Sequence, residues 1–236
     1  MFDSLLADRR TRDRRFTVYR SDERTDVEAW LAAHDVPVES RSLPSGGPDP
    51  FVEIEADGEF VGVLGLAALE GLLEPPINRP GEEAAVSEGY RVIFDVFVDT
   101  AFTGLARRNL LAVSREIEDR AYRVGTGTLR VSFQTLSTFQ SQAEVYRALA
   151  TATDLDVHVY GAPDWTPPEI SGVTYHADET EPVERHWVLA FDGGTEETQA
   201  CGLVARERST GYDSFWTDDP DTVTEISAAL TADRPT

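Results

Sequence analysis

Lysine is absent from the 236 residues, so the basic charge is carried by arginine alone. A P-loop, a pyridoxal Schiff base and the lysine of a phospho-receiver site all need an amine side chain, and the sequence excludes these three sites. The 21 arginines face 43 aspartates and glutamates, which leaves a formal net charge of -22. So acidic a surface stays folded and soluble where salt screens its self-repulsion. We therefore expect a protein of a salt-loving cytoplasm.

Long apolar runs and paired cysteines are also missing. No stretch approaches the roughly 18 apolar residues of a membrane span, and the N-terminus has no signal-peptide core. The single cysteine, Cys201, lies in the apolar stretch QACGLVA, which predicts a buried and inert thiol. The arginine-rich run RRTRDRR, at 9–15, is too short for a basic patch that neutralises phosphates. We predict a cytoplasmic protein that binds neither nucleic acid nor a membrane.

Common catalytic motifs are missing as well. VGTGTL has too few glycines for a dinucleotide-binding loop and follows a helix instead of a strand, and no G-x-S-x-G elbow is present. The histidines, His34, His158, His176 and His186, are scattered singly, without the close spacing of a zinc site. We therefore predict no metal site and no catalytic residue.

Residues 1–80 predict a small α/β unit with a helix, strands, a hairpin and a short helix. Thr25 and Glu28 have the S/T-x-x-E spacing of a capping box, which predicts the start of a second helix. Asp57 and Gly58 separate the segments FVEIEA and EFVGVLG, a sequence typical of a tight β-hairpin. The proline-rich stretch EPPINRPGEE then predicts the boundary of this unit.

The rest of the chain predicts a second α/β unit behind a connecting segment. In that segment, 81–102, the run RVIFDVFVDT predicts a strand at 91–99. From 103 to 231, strands and helices interleave, so we expect an α/β fold in which helices pack on a mixed β-sheet.

Two helices of the second unit carry specific predictions. A long helix, about 105–122, has one apolar face, and Arg115, Glu116 and Asp119 are expected to point away from it. Ser137 and Gln140 have capping-box spacing, which predicts that a further helix begins there.

Acidic residues offer one catalytic alternative. On a strand at 91–99, Asp95 and Asp99 would share a face and could hold magnesium with a phosphate substrate, and Glu116 is a third candidate acid. The spacing of the two aspartates misses the D-x-D pattern of aspartyl phosphotransferases. An enzyme that uses these carboxylates on a small metabolite is the less favoured alternative.

The segment YDSFWTDDPDTV raises the same question about acids. Asp219 is placed to cap a helix, and Pro220 occupies the first helical position that proline prefers, so these acids need no catalytic explanation. On a regular strand, Phe215 and Trp216 would point to opposite faces.

Aromatic residues are concentrated in the second unit, and two interpretations of them stay open. They pack as a core, or they line a cavity for a small planar ligand or an apolar signal molecule, with arginine or glutamine supplying hydrogen bonds. The candidate ligand-binding residues are Phe133, Gln134, Phe139, Tyr146, Tyr160, Trp165, Trp187, Phe215, Trp216, Arg107 and Arg115.

Five segments in order carry a resemblance to a known family: LARRNLLAVSREIEDRA, VSFQTLSTFQSQAEVYRALA, DVHVYGAPDW, ERHWVLAFDGG and FWTDDP. Together they resemble the DICT sensory domain, named for diguanylate cyclases and two-component systems, over about 103–230. The N-terminal half is similar to the extension of haloarchaeal members, in agreement with the lysine-free composition.

The resemblance implies an input module of signal transduction with no established catalytic residue, and we predict no cofactor other than an unknown small ligand or chromophore. It implies a response to a small ligand or to light. Both halves are used before residue 236, without room for an output domain, so we expect a stand-alone module that acts through a partner such as a histidine kinase or a transcriptional regulator. A scaffold without a ligand remains an alternative, and the sequence does not determine the oligomeric state.

Overall fold

The structure is a computed structural model, which describes residues 1–10, 14–21, 24–69, 77, 79–81, 94–177 and 181–232. The helices of these residues are α1 (Phe2–Arg10), α2 (Asp26–Ala33), α3 (Leu66–Leu69), α4 (Arg107–Val124), α5 (Leu136–Phe139), α6 (Ala143–Ala152), α7 (Glu181–Arg185) and α8 (Pro220–Thr231). The strands are β1 (Arg14–Arg20), β2 (Val38–Ser42), β3 (Phe51–Ala56), β4 (Glu59–Gly65), β5 (Phe102–Leu105), β6 (Thr126–Thr135), β7 (Asp154–Ala162), β8 (Val173–Ala177), β9 (His186–Phe191), β10 (Cys201–Glu207) and β11 (Tyr212–Thr217).

The first sheet has the strand order β2-β1-β3-β4, in which β1 pairs parallel with β2 and antiparallel with β3. The capping box that precedes α2 is confirmed, because the side chains of Thr25 and Glu28 each accept the other's backbone N–H. The hairpin of β3 and β4 is also confirmed. Its turn places Asp57 and Gly58 at φ 53° and 81°, the left-handed region that such a turn requires.

The second sheet has seven strands in the order β5-β11-β10-β9-β6-β7-β8. Strands β6, β7 and β8 run parallel, whereas β6 pairs antiparallel with β9, and the strands beyond β9 continue antiparallel. The predicted α/β fold, with helices on a mixed sheet, is confirmed.

The two faces of the second sheet belong to two different hydrophobic clusters. Trp216 lies in the larger cluster, which also contains Phe16 and Ile54 of the first sheet and Leu110 of α4. Phe215 lies in the smaller cluster, between the sheet and the helices α1 and α8. The opposite orientation predicted for Phe215 and Trp216 is therefore confirmed, and the first sheet shares its core with the second.

The strand predicted at 91–99 is wrong over its described part. Residues 94–96 form a helical turn and 97–99 continue as a turn, while 91–93 lie outside the described residues. A distant partner stabilises this shape: Nε1 of Trp216 donates to the carbonyl oxygen of Phe94 at 2.8 Å, and the N–H of Asp99 donates to the carbonyl oxygen of Trp216 at 2.7 Å. The alternating sequence could not reveal these contacts.

Two further predictions need correction. Ser137 and Gln140 do not form a capping box, because Ser137 lies inside the short helix α5, and its N–H and hydroxyl donate to Asp164 instead. Helix α6 starts later, at Ala143. The side chains of Arg115, Glu116 and Asp119 on α4 are buried as well. Arg115, for example, is only 6% exposed.

The proposed division at 1–80, 81–102 and 103–231 remains a prediction. Most of the boundary stretch after α3 lies outside the described residues. Where both are described, the first unit and the connecting segment touch closely: the rings of Phe16 and Phe97 stack with centroids 5.0 Å apart, and those of Trp30 and Phe102 lie 5.8 Å apart.

Candidate functional site

A cleft opens between α4, the end of β6, the start of β9 and the segment α5–α6. Its cavity volume is about 20 Å³, room for about one water molecule, and it is partly open to solvent. We call it the aromatic cleft. Its lining residues are Arg107, Leu111, Ser114, Arg115, Glu118, Phe133, Gln134, Thr138, Gln142, Tyr146 and Trp187.

The aromatic cleft brings together six of the eleven candidate residues that the sequence proposed. These are Arg107, Arg115, Phe133, Gln134, Tyr146 and Trp187. Phe139 packs behind them, with its ring centroid 5.4 Å from those of both Phe133 and Tyr146, and is fully buried. The convergence brings together three elements: α4, the β6–α6 segment that follows it, and the more distant β9.

The other four candidates lie elsewhere. Tyr160 is fully buried in the smaller hydrophobic cluster, and its ring stacks on His176 at 4.7 Å. Trp165 is half-buried against the larger cluster. Phe215 and Trp216, 0% and 2% exposed, are packed in the two cores, so the pair is a feature of the fold and does not line the cleft.

The base of the cleft is a buried polar network. Arg115 donates to Glu118 on the next turn of α4 and to the side-chain oxygen of Gln142, and the Tyr146 hydroxyl donates to Oε1 of Glu118 at 2.6 Å. Burial and the adjacent Glu118 carboxylate raise the pKa of Tyr146 well above its usual value. Although burial alone would lower the pKa of Arg115, the charge of Glu118 raises it. The network therefore keeps Arg115 charged and Tyr146 a neutral phenol.

The mouth of the cleft carries a cation over an aromatic ring. Cζ of Arg107 lies 5.4 Å from the centroid of the Trp187 ring, within cation–π range. Arg107 is the first residue of α4, whose N-cap, Ala106, makes no side-chain hydrogen bond, and the first turn of α4 holds no acidic residue. The positive end of this helix is thus not neutralised by its own first turn.

Gln134 reaches the cleft through an irregularity in β6. The pairing of β6 with β7 shifts between Ser132 and Thr135, and Gln134 adopts φ 57°, a conformation that non-glycine residues rarely take. Strand β7 packs tightly against this irregularity. A Cβ atom at Gly161 would lie only 2.8 Å from the carbonyl carbon of Thr135. The bulge thereby fixes the position of the half-buried Gln134 at the cleft.

Five lining residues were not predicted: Leu111, Ser114, Glu118, Thr138 and Gln142. Glu118 has the clearest signal in the sequence, since it follows Arg115 by three residues and so shares its side of a helix. Gln142 had no such signal, because its contact with Arg115 depends on how α6 packs.

The acids of the enzyme alternative do not meet in one cleft. Asp95 is exposed and lies 3.6 Å from Arg120, and Asp99 pairs with Arg9 at 2.9 Å. Glu116 is buried on α4, 3.4 Å from Arg123. Within the described ranges, no group of three histidine, cysteine, aspartate or glutamate side chains could hold a metal ion.

Two of the scattered histidines do meet. His158 on β7 and His176 on the adjacent parallel strand β8 lie two register positions apart, and Nδ1 of His158 is 2.8 Å from Nε2 of His176. The other ring nitrogen of His158, Nε2, lies 3.0 Å from Oδ2 of Asp156, within hydrogen-bonding distance. Spacing along the chain missed this pair because adjacent strands bring it together.

No described helix has the length and apolar character that crossing a membrane requires. A search of curated proteins finds no match. Among solved structures, a polyphosphate kinase from Porphyromonas gingivalis aligns over 98% of this chain at 12% identity and a TM-score of 0.36. The alignment spans 48% of that protein, about half its length, and a likeness this weak carries no conclusion.

A family model gives a specific match. The sensory domain of diguanylate cyclases and two-component systems, DICT, matches residues 99–208, from the turn before β5 to just past the end of β10. The match contains every residue that lines the aromatic cleft. Sensory domains of this family occur in signalling proteins, and residues 99–208, a little under half of this chain, match such a domain.

Proposed function

We propose that the aromatic cleft is the input site of this DICT domain, where a small planar molecule binds and changes how the protein acts on a signalling partner. The observation that carries the proposal is the convergence of Arg107, Gln134 and Trp187 over the buried pair of Arg115 and Glu118. Ligand sites commonly combine aromatic walls with a few fixed polar groups in this way.

The cleft differs from the aromatic packing that a scaffold without a ligand would need. Phe102 and Trp216 stack at 5.1 Å in a filled core, and both are at most 2% exposed. In the cleft, Gln134 and Gln142 are half-buried and Arg107 is exposed, so polar atoms border the empty space. This contrast favours a binding role over a purely structural one.

The cleft also offers a route to a response. The bond from Arg115 to Gln142 joins α4 to the residue that precedes α6, and the Gln134 bulge joins the cleft to the middle of the sheet. A ligand that prefers one arrangement of these contacts would shift the population of two conformers. The surface that changes is read by a partner, for which a histidine kinase or a transcriptional regulator is the proposed class.

The experiment is mass spectrometry and absorbance on protein purified natively in high salt. We expect a bound small molecule in the unaltered protein and its loss in Thr138→Trp, which fills the cleft, but not in Ser141→Trp, an exposed position three residues further on. An absorbance band that disappears with the molecule would specify a response to light.

The partner is tested by pull-down from a high-salt lysate. We expect the unaltered protein to recover a histidine kinase or regulator, with a yield that changes in Thr138→Trp. Preparations that hold no small molecule and recover neither class of protein would contradict the proposed function.

A further inference from the structure

The lining of the aromatic cleft is positively charged in a strongly acidic protein. It contains two arginines and one glutamate, a net charge of +1, although the chain as a whole carries -22. Three other clefts of the described residues are lined by at least as many acids as arginines. The charge of this cleft is thus opposite in sign to that of the protein.

Both oxygens of the carboxylate at the base of the cleft already accept a hydrogen bond from a neighbouring side chain. Oε1 of Glu118 accepts from Tyr146, and Oε2 accepts from Arg115. The second terminal nitrogen of Arg115 donates a hydrogen bond to the side-chain oxygen of Gln142. Because these groups satisfy one another, the ligand is recognised by the other polar side chains of the lining.

Arg107 supplies an available cation. It is exposed, and among the described residues its one contact of note is with the Trp187 ring, with no carboxylate in salt-bridge distance. Arg9, Arg123 and Arg206, by contrast, each form an ion pair with a carboxylate. The acid-free first turn of α4 adds the positive end of an 18-residue helix at the same place.

Gln134 supplies an available amide. Its side chain makes no hydrogen bond with any described residue, although it is half-buried and fixed in a left-handed bulge. An amide presents one N–H donor beside one oxygen acceptor, so it can pair with the N–H and C=O of a lactam in two parallel hydrogen bonds. The rings of Phe133, Tyr146 and Trp187 form apolar walls around such a planar group.

We propose that the ligand of the aromatic cleft is a planar heteroaromatic anion: a ring with a lactam edge that pairs with Gln134, and one negative group that binds Arg107. This inference rests on the proposed function and narrows it to one chemical class. It leaves the partner undetermined.

Three small compounds separate the two elements of recognition. Orotate carries both a lactam edge and a carboxylate, uracil carries the edge alone, and benzoate carries the carboxylate alone. Calorimetric titration of the full chain in high-salt buffer is expected to show orotate binding about tenfold more tightly than either of the others, because each lost contact to a charged or amide partner costs about a factor of ten. Equal binding of orotate and uracil, or no binding of orotate, would overturn the inference.

Matched variants assign the contacts. Arg107→Gln should weaken orotate about tenfold and leave uracil unchanged, whereas Arg108→Gln, the exposed neighbour outside the lining, should change neither. Gln134→Asn keeps an amide that tolerates the left-handed conformation but shortens it, so orotate and uracil should weaken and benzoate should not. The same loss in Arg108→Gln as in Arg107→Gln would contradict a specific contact.

The molecule held by natively purified protein distinguishes this inference from the proposed function. A planar anion supports both. A cationic or neutral molecule that is lost in Thr138→Trp would overturn the inference and leave the proposed function standing, while the absence of any molecule counts against both.

Discussion

The hydroxyl of Tyr146 donates a 2.6 Å hydrogen bond to Oε1 of Glu118, and both side chains are at most 2% exposed. Tyr146→Phe keeps the ring and its aromatic contacts but leaves one oxygen of a buried carboxylate without this donor. We expect the free energy of unfolding to fall by about 1–3 kcal/mol, the usual cost of an unsatisfied buried group. Chemical denaturation of both proteins in high salt measures this difference in the free energy of unfolding.

Tyr19→Phe is the matched control for this prediction. Tyr19 is half-buried on β1, and its hydroxyl accepts a long, 3.4 Å hydrogen bond from the exposed Arg41. Its removal should change the free energy of unfolding by less than about 0.5 kcal/mol. Equal losses in the two variants would show that the Glu118 contact contributes nothing of its own.

The cap of α8 gives a second prediction. Oδ2 of Asp219 accepts from the backbone N–H of Thr222 at 3.2 Å, and the Thr222 hydroxyl lowers the pKa of Asp219 by donating to the same carboxylate. Asp219→Ala should cost about 0.5–2 kcal/mol at neutral pH. A depressed pKa means that this stability is present above the ordinary value of 3.8 and is lost as the pH falls below it.

Asp221→Ala is the control for the cap. Asp221 is exposed in the first turn of α8 and interacts with the positive helix end without capping it. The loss should be about 0.3–1 kcal/mol. The cap assignment would be untenable if thermal denaturation showed Asp221→Ala to be the more damaging change.

Arg9 carries a third prediction because it connects three elements. Nε donates to Asp99 at 2.9 Å, NH2 donates to the Thr222 hydroxyl at 2.7 Å, and Cζ lies 5.0 Å from the Phe215 ring centroid. Arg9→Leu leaves the carboxylate of Asp99 without its buried counter-ion, so the free energy of unfolding should fall by about 3–5 kcal/mol.

A double-mutant cycle tests that explanation. Asp99 has φ 60°, which asparagine tolerates, so Asp99→Asn removes the charge without backbone strain. Arg9→Leu combined with Asp99→Asn should be more stable than Arg9→Leu alone, because the carboxylate charge that Arg9 balances is removed together with it. Additive losses would rule out a direct energetic coupling between the two residues.

The thiol of Cys201 predicts sensitivity to alkaline pH. Burial raises the pKa of this thiol from 9.0 to about 12, so it stays protonated in the folded state over a range in which the unfolded thiol ionises. The stability that the thiol contributes is complete below about pH 9 and is lost as the pH rises towards 12. In Cys201→Ala, unfolding measured from pH 9 upward should show a slope smaller by about 1.4 kcal/mol per pH unit. An unchanged slope would contradict it.

The sequence predicted the local features that depend on neighbouring residues. The turn at Asp57 and Gly58, the capping box at Thr25 and the opposed rings of Phe215 and Trp216 all follow from backbone geometry over a few positions. Contacts between residues that are distant in the sequence could not be predicted in this way. The turn at 94–96 depends on a bond from Trp216, whose partner is 122 residues away.

The candidate site shows the same division. Aromatic, arginine and glutamine side chains were identified by their type, but their meeting depends on the bulge at Gln134 and on how α6 packs against α4. Strands β5 and β8 were not predicted because they have only four and five residues, too few for a reliable pattern. Arg115, Glu116 and Asp119 were expected only to point away from the apolar face of α4, and their burial was not predicted because helix periodicity does not show what packs on a helix.

Helices α1 and α8, from opposite ends of the described chain, share one hydrophobic cluster, and Arg9 and Thr222 are bonded across 213 residues. Closing so large a loop costs about 5 kcal/mol of chain entropy, which the contact must offset before it stabilises the fold. One face of the sheet must stay uncovered on the ribosome until α8 has been synthesised. We therefore expect slow, late assembly, with a partly folded species whose exposed face invites association with other chains.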